Sequence, residues 1–160
     1  MMPSLVLASG SSGRQELLRR TGVLFVVDPS DCDESTDAQS AEEHVQTLAL
    51  RKARCVAERH PDAVIIGADT VAVLDGTIIG KPASDAEARE MLRLMSGCNH
   101  RLLTGIAVIG PDGRAYSNVE TTRVHMRELS DDEVDAYVRS GEPLGKSGCY
   151  EIQGLGATII

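Results

Sequence analysis

The sequence is poor in aromatic side chains, with no tryptophan, one phenylalanine and three tyrosines among 160 residues. A hydrophobic core must therefore be built from Val, Ile, Leu, Ala and Met. No apolar run approaches the roughly 18 residues of a membrane span. The N-terminus lacks a basic segment followed by an apolar one, so no secretory signal is expected. We expect one cytoplasmic domain, because a chain of this length buries about two-thirds of its unfolded surface.

Soft metal ligands and a basic surface are lacking as well. The four cysteines and four histidines are scattered, without a Cys-x-x-Cys pair. This spacing favours reduced thiols over a zinc site, whereas a hard cation held by carboxylates stays open. The net charge of −8 argues against binding to nucleic acid or an anionic membrane. A small anionic substrate is compatible with it if cations cluster locally.

Lysine is scarce too. Of the 16 basic residues, only Lys52, Lys81 and Lys146 are lysines. An ammonium is a compact point charge, suited to a phosphate or to a carboxylate in a tight site. The positions of these three lysines are therefore of interest.

The stretch from residue 63 to residue 82 combines apolar and charged residues. An apolar run over Ala63–Ile66 predicts a buried strand that ends at Gly67, and Asp69 follows. A second apolar run, an Asp75-Gly76 turn and a third run predict a β-hairpin. Burying a bare carboxylate is costly. Asp69 therefore either caps a surface turn or belongs to a charged or metal site.

A second polar motif lies near the N-terminus. A Gly/Ser turn joins a predicted strand over Ser4–Ala8 to a predicted helix over Arg14–Arg20. Free backbone N–H groups at such a helix start attract anions, and the Arg14 guanidinium adds a charged donor. The alternative is a capped helix without a ligand.

Two further segments carry candidate charges. Five acids and no cation occur between Asp28 and Asp37, which predicts a solvated loop from which Glu34 is our choice to face a site. A helix is predicted from Ser40 to about Arg59. Its apolar spacing places Lys52 on the inward face, where it either reaches an anion in a cleft or extends to the helix rim.

The rest of the chain alternates helix and strand signals. Capping boxes at Ser84 and Ser130 predict two more helices. A long strand pair is predicted over residues 100–109 and 116–126, and a final strand over residues 157–160. This order predicts a mixed α/β protein with a mixed sheet.

Seven blocks in a fixed order carry a family resemblance. They are Leu7-Ala-Ser-Gly-Ser-Ser-Gly-Arg14, Glu34, Leu48-Ala-Leu-Arg-Lys-Ala53, Gly67-Ala-Asp-Thr70, Gly80-Lys-Pro82, Ser96-Gly97 with His100, and Gly148-Cys-Tyr-Glu-Ile-Gln-Gly154. Together they resemble the Maf family of nucleoside triphosphate pyrophosphatases, once known as septum-formation inhibitors. The Gly-Ala-Asp-Thr and Ile-Gln-Gly blocks are similar to the branch that acts on dTTP and UTP.

The resemblance implies a mixed, twisted α/β sheet flanked by helices, with two lobes around a deep cleft. It implies a single Maf-like domain over residues 1–160, with the family's last strand and helix missing after Ile160. It also implies a divalent cation, Mg²⁺ or Mn²⁺, and a homodimer as one assembly. The implied reaction converts a nucleoside triphosphate to the monophosphate and pyrophosphate.

Site roles follow from the same resemblance. Asp69 is implied to accept the proton of the attacking water, and Asp69 and Glu34 to hold the metal. The implied phosphate ligands are Lys52, Lys81, Ser9, Ser11 and Arg14, and the implied base-selecting residues are Thr70 and Gln153. Lys146 occupies another signature position, and Gly13 stands where the family usually has a side chain associated with base choice. Gly13 and Gly145, which replaces a common acid, leave an alternative open: a catalytically degenerate nucleotide-binding or regulatory protein linked to septum formation.

Overall fold

The computed structural model describes residues 4–160, which form six strands and four α-helices. The elements are β1 (Leu5–Leu7), α1 (Ser12–Arg20), β2 (Val26–Val27), α2 (Ala41–Ala57), β3 (Val64–Leu74), β4 (Thr77–Ile79), α3 (Asp85–Met95), β5 (Asn99–Ile109), β6 (Ala115–His125) and α4 (Asp131–Arg139). Two short 3₁₀ helices, Ser147–Cys149 and Leu155–Thr158, follow α4.

The strands form one mixed sheet in the order β2-β1-β3-β5-β6, and β4 pairs with β3. β1 is parallel to both β2 and β3, so that Val6 lies opposite Val26 on one side and Ile65 on the other. β3 and β4 are antiparallel, with Val73 opposite Ile78. The prediction of a mixed α/β sheet flanked by helices is therefore confirmed, while the deep cleft stays a prediction.

β3 is longer than its sequence suggests. One strand of 11 residues runs through Gly67 and Asp69 to Leu74, so the prediction that a strand ends at Gly67 is wrong. A side chain at Gly67 would place its Cβ 2.4 Å from the Ala49 carbonyl oxygen of α2. Gly67 is therefore needed for close helix–strand packing and does not break the strand.

The chain divides into two compact units, each with its own apolar core. The first unit contains the residues up to Asp69 together with Thr104–Glu120, and the second contains Thr70–Leu103 together with Thr121–Ile160. The core of the first unit uses small and branched side chains: Val6, Ala8, Ala49, Ala53, Val56, Ala63, Ile65, Ala107 and Ile109. The core of the second unit adds larger groups, including Leu92, Met95, Met126, Tyr137 and Tyr150.

Serine caps begin all four α-helices, and the caps of α2, α3 and α4 were predicted. The side chains of Ser40, Ser84 and Ser130 accept the backbone N–H three residues later. The full capping box forms at α4, where Glu133 reaches back to the Ser130 N–H. At α2 and α3 the corresponding glutamates bond one residue further back, to the N–H groups of Gln39 and Ala83.

The prediction of a final strand over residues 157–160 is wrong. Leu155–Thr158 form a 3₁₀ helix instead. The Leu155 and Gly156 N–H groups donate to the Glu142 carboxylate at 2.8 Å and 2.7 Å. Within the predicted strand, the Ala157 and Ile159 N–H groups donate to the Gly154 and Gly156 carbonyl oxygens, so these amides are used in local turns and not in a sheet.

Candidate active site

Three charged side chains of the first unit meet around the Lys52 amine. Lys52 Nζ lies 2.6 Å from Asp69 Oδ1 and 2.9 Å from Glu34 Oε1. Lys52 and Asp69 are 7% and 6% exposed, whereas the Glu34 side chain is 55% exposed. The alternatives in which Lys52 extends to the helix rim and Asp69 caps a surface turn are therefore wrong.

The close approach of α2 to the sheet makes this contact possible. Glycines on two strands face the helix backbone, and a Cβ at Gly105 would lie only 2.1 Å from the Val45 carbonyl oxygen. A Cβ at Gly67 would likewise lie 2.4 Å from the Ala49 carbonyl oxygen, one turn further along α2. With no side chains to hold the helix away, Lys52 on the buried stripe of α2 reaches Asp69 in β3.

The environment of Lys52 favours its charged form. Burial alone would lower the pKa of Lys52, but the hydrogen bonds and attraction from Asp69 and Glu34 together raise it above its ordinary value. The ammonium is therefore charged at neutral pH. Removing it would leave a carboxylate buried without its cation.

The turn between β1 and α1 supplies further donors to the same place. Arg14 Nη1 donates to Ser9 Oγ at 3.1 Å and to the Ala68 carbonyl oxygen at 3.0 Å. Ser9 is buried, and Ser11 caps α1 by accepting the Arg14 N–H. Since Ala68 immediately precedes Asp69, Arg14 fixes the β1–α1 turn beside the acid. We call Ser9, Arg14, Glu34, Lys52 and Asp69 the Asp69 cluster.

Electrostatics link Arg14 to both acids of the cluster. Burial lowers the pKa of Arg14, and the attraction of Asp69 and Glu34 opposes this effect. A guanidinium is not deprotonated in proteins, so Arg14 remains a cation. α1 has no acid in its first turn, whereas α2, α3 and α4 each have at least one. The start of α1 is therefore the one suited to an anion.

Gly13 lies on α1 in the first unit. The other predicted residues belong to the second unit, where two lysine-bearing segments are joined. Lys81 is exposed, and its flanking carbonyls are both acceptors: Gly80 O from the Gly148 N–H at 3.4 Å, and Pro82 O from the Gly145 N–H at 3.3 Å. These bonds align the backbone of Lys81 with that of Lys146. No local sequence pattern predicts this pairing, because the two segments are more than sixty residues apart.

Residues 142–156 contact Thr70 and contain both Lys146 and Gln153. The Thr70 carbonyl oxygen accepts from Ser147 Oγ at 2.7 Å, and Lys146 Nζ lies 2.5 Å from Glu151 Oε2. Gln153 is exposed. It lies in residues 142–156, which we call the Lys146 segment.

Glu142 anchors the far end of that segment. Its Oε1 accepts from Tyr137 Oη and from the Gly156 N–H, both at 2.7 Å, and its Oε2 accepts from the Leu155 N–H at 2.8 Å. The Tyr137 hydroxyl in turn accepts the Glu151 N–H at 3.2 Å. Burial alone would raise the pKa of Glu142, but these bonds together lower it. Glu142 and Tyr137 therefore hold the backbone on both sides of Gln153.

Sequence reasoning identified the cluster acids and cations but missed the residues that support them. Arg51, Tyr137 and Glu142 were not singled out. Within residues 4–160, no group of three or more His, Cys, Asp or Glu side chains is arranged to hold a metal ion. In the same range, no helix has the length and apolar character needed to cross a membrane.

Comparison with known families agrees with this geometry. The Maf-like protein family model matches residues 4–160. The chain therefore belongs to the Maf-like family, and the resemblance of its seven sequence blocks is confirmed.

Similar sequences carry one common name. The chain is 47% identical to the dTTP/UTP pyrophosphatase of Symbiobacterium thermophilum over 99% of its length and 82% of the relative. It is 44% identical to the dTTP/UTP pyrophosphatase of Bacillus cereus over 99% of its length and 83% of the relative.

Solved structures share the fold at low identity. The Ham1 protein of Staphylococcus aureus aligns with a TM-score of 0.54 at 18% identity, over 77% of this chain and 71% of that one. A nucleoside-triphosphatase, dITP/XTP pyrophosphatase, from Mycobacterium abscessus aligns with a TM-score of 0.52 at 16% identity, over 77% and 74%. These likenesses concern the fold alone.

Proposed function

We propose that this protein hydrolyses nucleoside triphosphates, with dTTP and UTP preferred, to the nucleoside monophosphate and pyrophosphate. The observation that carries the proposal is the contact of the Lys52 ammonium with both Asp69 and Glu34. Family membership and the names of the relatives support the same reaction. Four free thiols are compatible with a reducing compartment, and we propose the cytoplasm.

The phosphates bind, in this proposal, at the start of α1. Its first backbone N–H groups precede the intrahelical ladder and point at an incoming anion. The hydroxyls of Ser9 and Ser11 and the guanidinium of Arg14 lie at this turn. Phosphoryl transfer is catalysed mainly by positioning and charge neutralisation, and these groups supply both.

The charge balance of the Asp69 cluster calls for a further cation. Its two carboxylates and two basic side chains cancel, so the cluster alone cannot neutralise a triphosphate. Asp69 and Glu34 bring hard carboxylate oxygens close to each other, because Asp69 Oδ1 and Glu34 Oε1 both contact the Lys52 ammonium. Mg²⁺ in nucleotide sites is typically bound by one or two carboxylates, with the rest of its shell from phosphates and water. The donor set therefore fits a metal that binds together with the nucleotide.

Asp69 and Glu34 would hold the cation, which would neutralise charge that develops on the phosphates. Asp69 would also accept the proton of the attacking water. The water oxygen forms a bond to the α-phosphorus while the bond from that phosphorus to the α,β-bridging oxygen breaks, and pyrophosphate leaves with the electron pair. Lys52 holds Asp69 in place through the contact of its Nζ with Asp69 Oδ1 at 2.6 Å.

The second unit would contribute base choice and phosphate contacts. Lys81 and Lys146 are compact cations suited to phosphate oxygens. The amide of Gln153 can donate to and accept from the edge of a pyrimidine. The Thr70 hydroxyl can likewise donate to or accept from a base.

A panel of common, methylated and otherwise modified nucleoside triphosphates tests this proposal, with Mg²⁺ or Mn²⁺ and detection of pyrophosphate. We expect dTTP and UTP to be turned over fastest, with one pyrophosphate for each monophosphate. Saturable nucleotide binding without any product would reject the enzyme and support the degenerate nucleotide-binding protein. Failure to bind any nucleotide would reject both.

A further inference from the structure

The acidic loop that carries Glu34 has no helix or strand between β2 and α2. A side chain that is 55% exposed on such a loop should sample many positions unless the backbone is fixed. Glu34 nevertheless lies 2.9 Å from Lys52. The contacts of the loop backbone therefore decide whether Glu34 can serve a defined site.

Arg51 makes those contacts from α2. Its Nη1 donates to the Asp33 carbonyl oxygen at 2.8 Å and to the Ser35 carbonyl oxygen at 2.5 Å. These are the two carbonyls on either side of Glu34. A single guanidinium nitrogen thus bridges the backbone before and after the acid, and charged donors make the stronger class of hydrogen bond.

A local turn presents the two carbonyls together. The Asp33 carboxylate accepts the Ser35 N–H at 3.0 Å and also the Ser35 hydroxyl. An aspartate that bonds the backbone two residues on closes an Asx turn. The turn brings residues 33 and 35 close enough for one arginine nitrogen to reach both.

Arg51 and Lys52 hold the acidic loop through different groups, one through its backbone and the other through the Glu34 side chain. Neighbouring residues on a helix point in different directions. Lys52 is buried and holds the Glu34 carboxylate, whereas Arg51 is half-buried and holds the flanking backbone. The helix thus fixes both the position of the loop and the direction of its acid.

We propose that Arg51 is a positioning residue for Glu34, a role that rests on the proposed function of the Asp69 cluster. It fixes the loop so that the Glu34 carboxylate faces Lys52 and the metal that would bind with the nucleotide. Arg51 touches neither substrate nor metal. Its effect on turnover passes through Glu34 alone.

The first experiment compares Arg51→Gln with Arg54→Gln in turnover of UTP. Arg54 is exposed on the same helix, so the control makes the same chemical change without touching the loop. Arg51→Gln loses the two hydrogen bonds from Arg51 Nη1 to the Asp33 and Ser35 carbonyl oxygens, and this loss should lower kcat/KM about tenfold. Arg54→Gln should stay within about twofold, as for ordinary surface changes. Arg51→Lys should recover little, because an ammonium lacks the fixed fork of donors.

A double-mutant cycle separates positioning from a general structural role. If Arg51 acts through Glu34, Arg51→Gln should cost about tenfold in the wild-type background and less than about twofold in a Glu34→Gln background. The affinity for Mn²⁺, measured with a non-hydrolysable UTP analogue, should weaken in parallel for Arg51→Gln. The same fold-loss in both backgrounds would overturn the proposal.

Hydrogen exchange of the loop gives a readout that needs no activity. Amides between residues 30 and 38 should exchange faster in Arg51→Gln than in the wild type, with Arg54→Gln unchanged. If these amides exchange faster in Arg51→Gln but the wild type does not turn over UTP, the role of Arg51 in the loop is supported and the proposed function is rejected. Unchanged exchange would overturn the loop role whatever the activity.

Discussion

The Asp69 cluster and the Lys146 segment are built in opposite ways. Three of the five cluster residues, Arg14, Lys52 and Asp69, lie on helices or a strand, and Lys52 and Asp69 are buried in contact with each other. The Lys146 segment is irregular, and Gln153 on it is exposed. Groups on helices and strands are held more precisely than groups on loops. In the proposed function, the cluster would serve the chemistry, while the segment that carries Gln153 would serve recognition of the base.

The two regions also differ in what anchors them. In the first, charged side chains hold one another directly, and Arg14 ties the β1–α1 turn to the Ala68 carbonyl. In the second, Glu142 and Tyr137 hold backbone amides, so the anchors never touch Gln153 itself. Changes in the first region should therefore abolish turnover, and changes in the second should alter selectivity.

The largest effect is expected for Lys52→Met. The variant leaves Asp69 buried without its cation, and breaking such a pair costs about 3–5 kcal/mol of folding stability. Turnover of UTP should fall at least about a hundredfold, because Asp69 loses the contact that orients it. Denaturant unfolding and pyrophosphate release measure the two effects. Arg54→Met on the same helix is the matched control, and similar losses in both variants would contradict the account.

The packing of α2 on the sheet is tested by Gly67→Ala. The added Cβ would meet backbone atoms of Ala49 and Ala53 at 2.4 Å and 2.8 Å, so we expect a loss of about 1–3 kcal/mol. Moving α2 also moves Lys52 away from Asp69, so turnover should fall with stability.

Gly80→Ala provides the control for this packing. A Cβ there would meet nothing within 4 Å, and the backbone of Gly80 does not require glycine. Its stability should stay within about 0.5 kcal/mol of the wild type. If Gly67→Ala were equally harmless in thermal melts, the close approach of α2 to β3 would not be what assembles the cluster.

A smaller effect is expected for Tyr137→Phe. The change removes the hydroxyl that donates to Glu142 and accepts the Glu151 N–H, at a cost of about 1–3 kcal/mol for the polar groups left unpaired. The preference for UTP over CTP, as a ratio of kcat/KM values, should fall severalfold while turnover of UTP changes little.

Tyr116→Phe is the matched control, because Tyr116 is 66% exposed on β6. It should leave the UTP-to-CTP ratio unchanged. A Tyr137→Phe variant that lost turnover of every nucleotide equally would remove the distinction between the chemical and the selective region.

The smallest effect concerns pH. His100 is buried, and its Nε2 lies 2.7 Å from the hydroxyl of Tyr150, a residue of the Lys146 segment. Burial is the main cause that lowers the pKa of His100, and the positive potential of His125 adds to it. The unfolded state then binds more protons just below pH 6.5, so stability falls as pH drops through that value.

Hydrogen exchange between pH 7.5 and pH 5 measures this effect. Amides of the second unit should lose protection on acidification, and His100→Gln should reduce the pH dependence of unfolding. Equal pH dependence in the wild type and the variant would show that His100 does not link acid to the second region.

Much of the cluster could be predicted from sequence, since local patterns suffice for its parts. The period of α2 predicts that Lys52 faces inward, and the Gly/Ser turn predicts an anion site before α1. For the two acids, Glu34 had to be chosen among the five acids of one loop, whereas Asp69 was the single candidate after its predicted strand. The role of Gly67 in packing was missed. A glycine in a strand pattern is typical both of a strand end and of close approach by another backbone, and the sequence does not distinguish the two.

The support of both regions was not predictable for a different reason. Arg51 bonds backbone carbonyls and Glu142 bonds backbone N–H groups, each more than ten residues away, and backbone donors and acceptors leave no trace in the sequence. The 3₁₀ helix over Leu155–Thr158 was missed for the same reason, since it is formed by local backbone bonds and flanked by the Glu142 contacts.

Product analysis of UTP hydrolysis by the wild type and Asp69→Asn tests the central claim most directly. Asp75→Asn is the control, because Asp75 is exposed at φ 48° in the β3–β4 turn, where asparagine fits well. We expect equal amounts of UMP and pyrophosphate from the wild type and the control. Asp69→Asn should bind UTP but turn it over about 10²–10⁴-fold more slowly. Release of UDP and orthophosphate, or wild-type turnover by Asp69→Asn, would contradict the account.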